Sequence, residues 1–139
     1  MRVALAWAGV LGAIAASVQA QDAPGPAGSL MIFFDWGKPE IRSDDRGTLD
    51  AAAARYRLHP GAGITLTGHT DRSGSAAANH RAGLRRAMAA RAELERRGIP
   101  AAAIRIASAG EQQPLFATED GVREVQNRRV EIRFDQQSE

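Results

Sequence analysis

Short stretches of alternating or continuous apolar residues occur four times along the chain and predict four strands. In three of these stretches, strict alternation places the apolar side chains on a single face. A sheet built from them would therefore have one apolar face to bury against other elements. The predicted strands are Leu30–Asp35, Ile64–Thr67, Ile104–Ala107 and Val130–Phe134.

The first predicted helix lies between the first two strands. Its N-cap is predicted at Ser43, because a serine hydroxyl can accept a backbone N–H of the first turn. Asp44 and Asp45 follow, where carboxylates interact favourably with the positive end of the helix dipole. Apolar residues then recur at steps of three and four until the His-Pro-Gly sequence at 59–61, where the helix should end.

The second predicted helix is longer and has an apolar face of mostly small residues. It should begin at a Ser75 cap and run to about Arg97, where Gly98 supplies the stop. Small side chains on one side would let the helix backbone lie close against a sheet. This small-residue stripe consists of Gly83, Ala87, Ala90 and, at its end, Leu94.

These elements follow one another in the order β-α-β-α-β-loop-β. The alternation predicts an α/β fold of the α+β kind, a sandwich in which a four-stranded sheet carries helices on one face. The sheet should be mixed, because the last strand follows a long polar loop at 110–126 and need not be parallel to the others. Residues 122–126 of this loop are expected to form a helical turn.

The first twenty residues have the pattern of a cleaved signal peptide. Arg2 precedes an uncharged apolar run at 3–18, and the sequence Val-Gln-Ala at 18–20 places small residues at a cleavage position. An uncleaved membrane anchor is the alternative, but the run is shorter than the ~20 residues that span a bilayer. The remainder is predicted to comprise a flexible lead at 21–29, one domain at 30–135 and a tail at 136–139.

Composition narrows the classes of protein to which this chain can belong. There is no cysteine, so the fold uses no disulfide and the predicted cleavage site has no residue to carry an acyl anchor. Removal of residues 1–20 would take away Arg2 and no acid, reducing 18 basic residues to 17 against 16 acidic ones. The arginines of the second helix fall on several faces among glutamates, whereas nucleic-acid-binding domains usually carry a basic excess on one face. We therefore expect no nucleic-acid partner.

Residues 68–87, GHTDRSGSAAANHRAGLRRA, carry the most specific pattern of the chain. Asp71 lies in a glycine-rich turn, and Arg86 lies fifteen residues further on, in the second helix. Considered singly, Asp71 would be a turn-forming aspartate and Arg86 a solvated helix side chain. A second block, NRRVEIRF at 127–134, forms the last strand. Together the two blocks resemble the peptidoglycan-binding OmpA-like domain, which occurs in outer-membrane protein A, the Pal lipoproteins and MotB.

The resemblance extends over roughly residues 30–134 and rests on two motifs in the right order. The family's T-D-x-x-G sequence, followed by N and then by R-A, is matched by Thr70, Asp71, Gly74, Asn79, Arg86 and Ala87. The N-R-R-V-E-I run of the family is matched at 127–132. The chain departs from the family at three places, where Ala82-Gly83 replace Leu-Ser, Ser108 replaces a common glycine, and Arg123-Glu124 replace Gly-Arg.

The resemblance implies non-covalent binding of peptidoglycan through the diaminopimelate of its stem peptide. Diaminopimelate carries an ammonium and a carboxylate on one carbon, so its recognition needs an acceptor and a planar fork of donors. Asp71 would accept the ammonium. Arg86 would bind the carboxylate bidentately, which a lysine could not do equally well.

The same resemblance implies supporting roles for further residues. The supporting ligand contacts would be Thr70, Asn79 and Arg128. Asn79 would either hydrogen-bond the ligand or position Arg86, and Arg129 would brace the fold. Asp35, at the end of the first strand, has a ligand role and a structural role as equal alternatives. No cofactor or metal is implied.

Two other functions remain open at this point. An enzyme would need a catalytic set, and although His69 and Asp71 could share a metal, no third ligand follows at a convincing spacing. The fold could also serve as a protein-interaction module that has lost the ligand. The presence of both Asp71 and Arg86 favours a binding module of the periplasm, associated with the cell wall or outer membrane, with an envelope protein as a further candidate partner.

Overall fold

The computed structural model describes residues 28–135. The predicted signal peptide, most of the predicted lead and the predicted tail lie outside these residues and stay predictions. The helices and strands are β1 (Leu30–Phe33), α1 (Arg46–Leu58), β2 (Ile64–His69), α2 (Ala76–Arg96), β3 (Ile104–Gly110) and β4 (Arg129–Phe134). Within the described residues, no helix combines the length and the apolar character that crossing a membrane requires.

The strands form one mixed, four-stranded sheet in the order β1-β4-β2-β3. β4 is antiparallel to both of its neighbours, whereas β2 and β3 are parallel and are connected through α2. The last strand of the described chain therefore lies inside the sheet. This architecture confirms the predicted mixed α/β sandwich.

A hydrophobic core lies between one face of the sheet and the two helices. Alternation along the strands directs every second side chain towards the helices, and most of these side chains are buried, with Leu30, Ile106 and Phe134 partly buried at the margin of the core. Each large aliphatic side chain buried in this way contributes roughly 1.5–3 kcal/mol, so the apolar alternation itself keeps both helices on this face. The core includes Ile32, Ile64, Leu66, Val130 and Ile132 from the sheet and Leu49 and Leu94 from the helices.

The small-residue stripe of α2 lies directly on the sheet, as predicted. A Cβ atom added to Gly68 would lie 1.7 Å from the carbonyl oxygen of Gly83, so the backbones of β2 and α2 are in contact. A Cβ atom added to Gly83 would lie 2.3 Å from Ser108 Oγ on β3. Ser108 fills that space and donates to the His80 carbonyl oxygen at 2.7 Å. The departures from the family pattern at 83 and 108 are therefore neighbours, and the glycine makes room for the serine.

The two predicted helix caps have different outcomes. Ser75 Oγ accepts a backbone N–H of the first turn of α2 at 3.1 Å, which confirms that cap. The prediction for α1 is wrong, because Ser43 opens a short 3-10 turn, Ser43–Asp45, and α1 begins after it without a side-chain cap. The Asp45 carboxylate accepts the Phe33 N–H of β1 at 3.0 Å instead. Burial raises the pKa of Asp45 despite this hydrogen bond.

β2 and β3 are longer than predicted. Gly68 and His69, which follow the predicted strand, belong to β2, and β3 continues to Gly110. His69 pairs with Gly110 after a shift in register. Because β2 and β3 are parallel, their extended ends lie together, and the turn that contains Asp71 leaves the sheet from this edge.

The segment after β1 and the loop before β4 run together at one end of the sheet. β1 ends at Phe33, so Asp35 lies beyond the strand rather than at its end. The Phe34 N–H donates to the Arg128 carbonyl oxygen at 2.9 Å, which continues the pairing of β1 and β4 into these two segments. The helical turn predicted at 122–126 is a 3-10 turn, Val125–Asn127.

Candidate ligand-binding site

A small cavity lies where the end of β2 meets the start of α2, the segment after β1 and the loop before β4. Its volume is about 130 Å³, so it suits a terminal group rather than a whole drug-sized ligand. The predicted site residues that line it are Thr70, Asp71, Asn79, Arg86 and Arg128. The lining is completed by Trp36, Gly37, Ser73 and Ala82.

Asp71 is buried, and its carboxylate is fully hydrogen-bonded. Ser73 donates to Oδ1 from its hydroxyl at 2.6 Å and from its backbone N–H at 3.2 Å. Oδ2 accepts from the Arg128 guanidinium at 2.9 Å and from the Glu124 N–H at 3.1 Å. Burial raises the pKa of Asp71, but the hydrogen bonds outweigh burial and hold the pKa below its usual value. The ionised aspartate therefore ties its turn to the loop before β4.

Arg86 is a buried cation without a carboxylate partner. It is 3% exposed, and it donates to the carbonyl oxygens of Lys38 and His69, both at 3.2 Å, and to that of Asp35 at 3.4 Å. Within residues 28–135 it forms no ion pair. Burial, together with repulsion from Arg128, lowers the pKa of Arg86 to about 10, so the side chain is still charged at neutral pH. The charge of Asp71 acts in the opposite direction and favours the charged form of Arg86, but the two side chains are not in ion-pair contact.

Asp71 and Arg86 line the same cavity, as the resemblance implies, but they do not form an ion pair with each other. The ion-pair partner of Asp71 is Arg128, whose Nε also donates to the Phe34 carbonyl oxygen at 2.9 Å. The cavity thus contains two guanidinium groups and one carboxylate. The resulting net positive charge favours an anionic or zwitterionic ligand over a simple cation.

Thr70 and Asn79 play different parts. Thr70 is 3% exposed, and its hydroxyl has no hydrogen-bond partner within the described residues. Buried hydroxyls without partners are rare, and a ligand in the cavity could supply one here. The Asn79 amide donates to the Asp71 carbonyl oxygen at 3.2 Å and to Glu111 Oε1 at 2.8 Å. Asn79 therefore holds the turn and forms no hydrogen bond to Arg86.

Asp35 supports the cavity through its backbone. Its carbonyl oxygen accepts from Arg86 and also from the Lys38 N–H at 3.1 Å. Its carboxylate is exposed, 3.9 Å from Arg42 Nε, and does not line the cavity. Of the two predicted roles of Asp35, this geometry favours the structural one.

His69, Arg129 and Glu131 form a buried polar cluster on the sheet face opposite the helices. Arg129 donates to Glu131 Oε2 from Nε at 3.0 Å and from Nη2 at 2.6 Å, in agreement with its predicted bracing role. His69 Nε2 lies 3.7 Å from the same carboxylate. Burial, with the charge of Arg129, lowers the pKa of His69 to about 4, so this strand-end residue is neutral at physiological pH. Residues 28–135 contain no group of three side chains suited to binding a metal.

Sequence reasoning missed Trp36 and Ser73. Trp36 Nε1 donates to Ser73 Oγ at 3.0 Å, and Ser73 Oγ donates in turn to Asp71. The Arg123 guanidinium lies over the indole, 3.5 Å from the ring centroid. The sequence offered one signal for Trp36. This large aromatic residue follows a predicted strand and lies in a polar segment, where no apolar pattern accounts for it.

A wider groove of about 590 Å³ lies between residues 39–46 and the outer side of α2. It is open to solvent and contains none of the predicted site residues. Its walls are aliphatic and charged side chains such as Ile41, Met88 and Glu93, and no unpartnered buried polar atom of the described residues lines it. The smaller cavity is therefore the better candidate for specific recognition.

Comparison with known families agrees with this geometry. The sequence profile of the OmpA family matches residues 33–128, which is more than half of the chain. The chain belongs to the OmpA family. This membership confirms the resemblance that was based on the two motif blocks. The relatives are envelope proteins and not enzymes, which confirms the prediction that this protein is not an enzyme.

Curated relatives of this OmpA-family chain are similar to it over part of their own length. An outer membrane protein of Gluconacetobacter diazotrophicus is 40% identical over 116 residues, covering 79% of this chain and 31% of that protein. A peptidoglycan-associated lipoprotein of Rhizobium meliloti is 39% identical over 99 residues, covering 71% of this chain and 56% of the relative. The chain thus spans between about a third and a little over half of the length of these relatives.

Solved structures show the same OmpA-family fold. The crystal structure of the peptidoglycan-associated lipoprotein from Burkholderia pseudomallei has a TM-score of 0.70 at 27% identity, with 76% of this chain and 89% of that chain covered. The periplasmic domain of Helicobacter pylori MotB has a TM-score of 0.66 at 19% identity, with 79% and 76% covered. The second likeness concerns the fold alone.

Proposed function

We propose that this domain binds peptidoglycan non-covalently, through the diaminopimelate of the stem peptide, and thereby anchors or organises the cell envelope. The observation that carries the proposal is Arg86, a buried cation that forms no ion pair within residues 28–135. The name of the Rhizobium meliloti relative, peptidoglycan-associated lipoprotein, supports peptidoglycan as the ligand. On this proposal the protein acts in the periplasm, at the cell wall or outer membrane, and an envelope protein is its candidate partner.

The carboxylate of the ligand would bind between the two guanidinium groups of the cavity. Arg86 and Arg128 repel each other, and this repulsion contributes to the lowered pKa of Arg86. A carboxylate placed between them removes the repulsion and accepts hydrogen bonds from planar donor groups. It also supplies the counter-charge that Arg86 lacks.

The ammonium of the ligand would bind Asp71 and Thr70. All four hydrogen-bond positions of the Asp71 carboxylate are occupied before the ligand enters, so one donor must move. The Ser73 hydroxyl is the easiest donor to displace, because its hydrogen rotates about a single bond. The Thr70 hydroxyl would accept a further ammonium N–H and so gain the partner that it lacks.

Co-sedimentation with purified sacculi of the diaminopimelate type tests the proposal. The unmutated protein should sediment with the sacculi, and free meso-diaminopimelate should release it. Arg86→Met should abolish sedimentation, because loss of one partner of a buried charge pair costs about 2–5 kcal/mol. Arg85→Ala is the matched control, since Arg85 is the exposed neighbour of Arg86 on the same helix.

The outcomes separate the proposal from its alternative. Undiminished binding by a folded Arg86→Met protein would exclude the role of Arg86. Failure of the unmutated protein to bind either sacculi or meso-diaminopimelate would remove the ligand altogether. The fold would then be better explained as an interaction module for an envelope protein, and binding partners would be sought among those proteins.

A further inference from the structure

Two side chains at this end of the molecule are not used by the proposed diaminopimelate contacts: Trp36, which lines the cavity, and Arg123, which stacks on Trp36. The Arg123 guanidinium lies over the Trp36 indole, 3.5 Å from the ring centroid. Stacking on an aromatic face fixes a guanidinium while its in-plane N–H donors stay available. Arg123 is exposed, and its side chain forms no hydrogen bond or ion pair within residues 28–135.

Each member of this stacked pair is connected to the buried carboxylate of Asp71 through one other residue, Ser73 for Trp36 and Glu124 for Arg123. Trp36 Nε1 donates to Ser73 Oγ at 3.0 Å, and Ser73 Oγ donates to Asp71 at 2.6 Å. On the other side, the N–H of Glu124, the next residue after Arg123, donates to Asp71 at 3.1 Å. The stacked pair is therefore connected on both sides to the turn that contains Asp71.

This arrangement depends on a departure of the chain from its family pattern. Arg123-Glu124 stand where Gly-Arg is common, so the arginine comes one position earlier. The Glu124 carboxylate accepts the Gln126 N–H at 3.1 Å, and the Glu124 N–H donates to Asp71. The basic side chain that stacks on Trp36 is that of Arg123. The stacked pair therefore involves a position at which this chain departs from the family motif.

We propose that Arg123, held on Trp36, binds a second carboxylate of the stem peptide, within one residue of diaminopimelate. The inference rests on the proposed function, because it requires diaminopimelate in the cavity. At about 130 Å³ the cavity has no room for the adjoining residues, which must lie at its mouth. A free carboxylate there is the planar anion that a guanidinium binds best, and its amidation would remove the charge. This subsite therefore distinguishes free from amidated stem peptides.

Two positions of the stem can supply this carboxylate. The D-glutamate before diaminopimelate is linked through its side chain, so its α-carboxylate is free unless it is amidated. A D-alanine after diaminopimelate carries a terminal carboxylate when it ends the chain. The two sources share their chemistry and are separated by amidating one carboxylate at a time.

Trp36 can report binding directly, because the chain contains only Trp7 and Trp36. The protein carrying Trp7→Phe would be titrated by fluorescence with free meso-diaminopimelate and with two pairs of peptides. The first pair is the L-alanyl-γ-D-glutamyl-diaminopimelate tripeptide and the same tripeptide amidated at the α-carboxylate of D-glutamate. The second pair is the tetrapeptide and the same tetrapeptide amidated at its C-terminal D-alanine. We expect the peptide with the relevant free carboxylate to bind roughly fivefold more tightly than its amide, as an exposed ion pair allows. A difference in the tripeptide pair would assign D-glutamate, and one confined to the tetrapeptide pair would assign D-alanine.

Arg123→Gln separates recognition from a structural effect. This variant should bind the free and amidated peptides equally, with unchanged affinity for the amide. The matched control is Arg105→Gln, since Arg105 is an exposed arginine at the start of β3, away from the end of the strand that lies beside the cavity. This control variant should keep the fivefold preference. An equal loss of affinity for both peptides, or no preference in the unmutated protein, would overturn the inference.

The same titrations distinguish failure of this inference from failure of the proposed function. If meso-diaminopimelate binds in an Arg86-dependent manner while Arg123→Gln changes nothing, the proposed function holds and the second subsite is excluded. If meso-diaminopimelate and all the peptides fail to bind, both are excluded.

Discussion

Two arginines, one in the sheet and one in the cavity, are equally buried but differ in whether a carboxylate pairs with them. Arg129 in β4 is 2% exposed and Arg86 in α2 is 3% exposed. Arg129 is paired with Glu131 at 2.6 Å, whereas Arg86 donates only to backbone carbonyl oxygens. Equal burial therefore does not mean an equal role. One charge is paired with a carboxylate at contact distance, and the other forms no ion pair within residues 28–135.

This difference separates stability from binding. Removing one partner of a compensated buried pair leaves an isolated charge in the interior, which is strongly unfavourable. Removing a buried charge that has no partner also removes an unfavourable desolvation, so the folded protein loses little. The contrast predicts a graded series of effects on the free energy of unfolding, with the sheet most sensitive and the cavity least.

The largest effect is expected from Glu131→Gln. The substitution keeps the shape of the side chain but leaves Arg129 without its carboxylate, so the free energy of unfolding should fall by about 3–5 kcal/mol. Denaturation by urea measures this change, with Glu119→Gln in an exposed loop as a control that should stay within about 0.5 kcal/mol. If the free energy of unfolding falls by less than about 1 kcal/mol, backbone carbonyl oxygens alone stabilise the Arg129 charge, and Arg129 no longer differs from Arg86.

A smaller effect should follow Gly83→Ser, which extends the comparison from charge to packing. The new side chain would meet Ser108 and the backbone of Gly68, and such overpacking costs about 1–3 kcal/mol. Combination with Ser108→Gly should recover at least part of the loss, because that change opens the space that the new serine needs. A double-mutant cycle measures the coupling. Strictly additive losses would show that the two positions do not compensate each other.

Acidification from pH 7 to pH 5 should lower the free energy of unfolding by about 2 kcal/mol, through His69 in the polar cluster of the sheet. The pKa of His69 is about 4 in the folded protein against 6.5 ordinarily, so the unfolded chain binds more protons in this range and stability falls as the pH falls. The pKa of Arg86 lies near 10 and that of Asp71 below its usual value, so these cavity groups add no slope there. Urea denaturation at several pH values should show a flatter profile for His69→Gln. Identical profiles would assign the slope to other groups.

The smallest effect on unfolding is expected from Arg86→Met, at less than about 1 kcal/mol, because the lost carbonyl contacts are offset by removal of an unpaired buried charge. Ligand linkage then distinguishes the proteins. Meso-diaminopimelate at about ten times its Kd should stabilise the unmutated protein by about 1.4 kcal/mol and the variant not at all. Thermal unfolding with and without ligand measures both quantities. A loss for Arg86→Met as large as that for Glu131→Gln would make Arg86 a structural residue.

The sequence predicts most of the fold because the relevant signals are local. Alternation at Ile64 and Leu66 and the small-residue stripe from Gly83 to Leu94 each specify their own burial. The Ser43 cap is wrong because a distant group decides it, since the Asp45 carboxylate turns to the Phe33 N–H, twelve residues earlier. The end of β2 is missed for a similar reason, as pairing with β3 and β4 overrides the turn preference of Gly68.

The site is less predictable because its pairings are long-range. Spacing alone could not show which arginine pairs with Asp71, and the actual partner, Arg128, is 57 residues away. The resemblance implies that Asp71 and Arg86 share a cavity, but it does not imply that the carboxylate is already saturated. Trp36 meets Ser73 across 37 residues, and no local pattern indicates that contact.

The position of β4 between β1 and β2 couples formation of the sheet to synthesis of the chain through residue 134. A nascent chain that stops before residue 129 leaves β1 without any neighbouring strand and exposes one edge of β2. The long loop closure that brings β4 between them must precede the gain from packing, so early collapse into a native sheet is disfavoured. Arg128, at the start of the same final segment, completes the cavity. A chain interrupted before residue 128 therefore lacks both an inner strand of the sheet and one of the two guanidinium groups of the cavity.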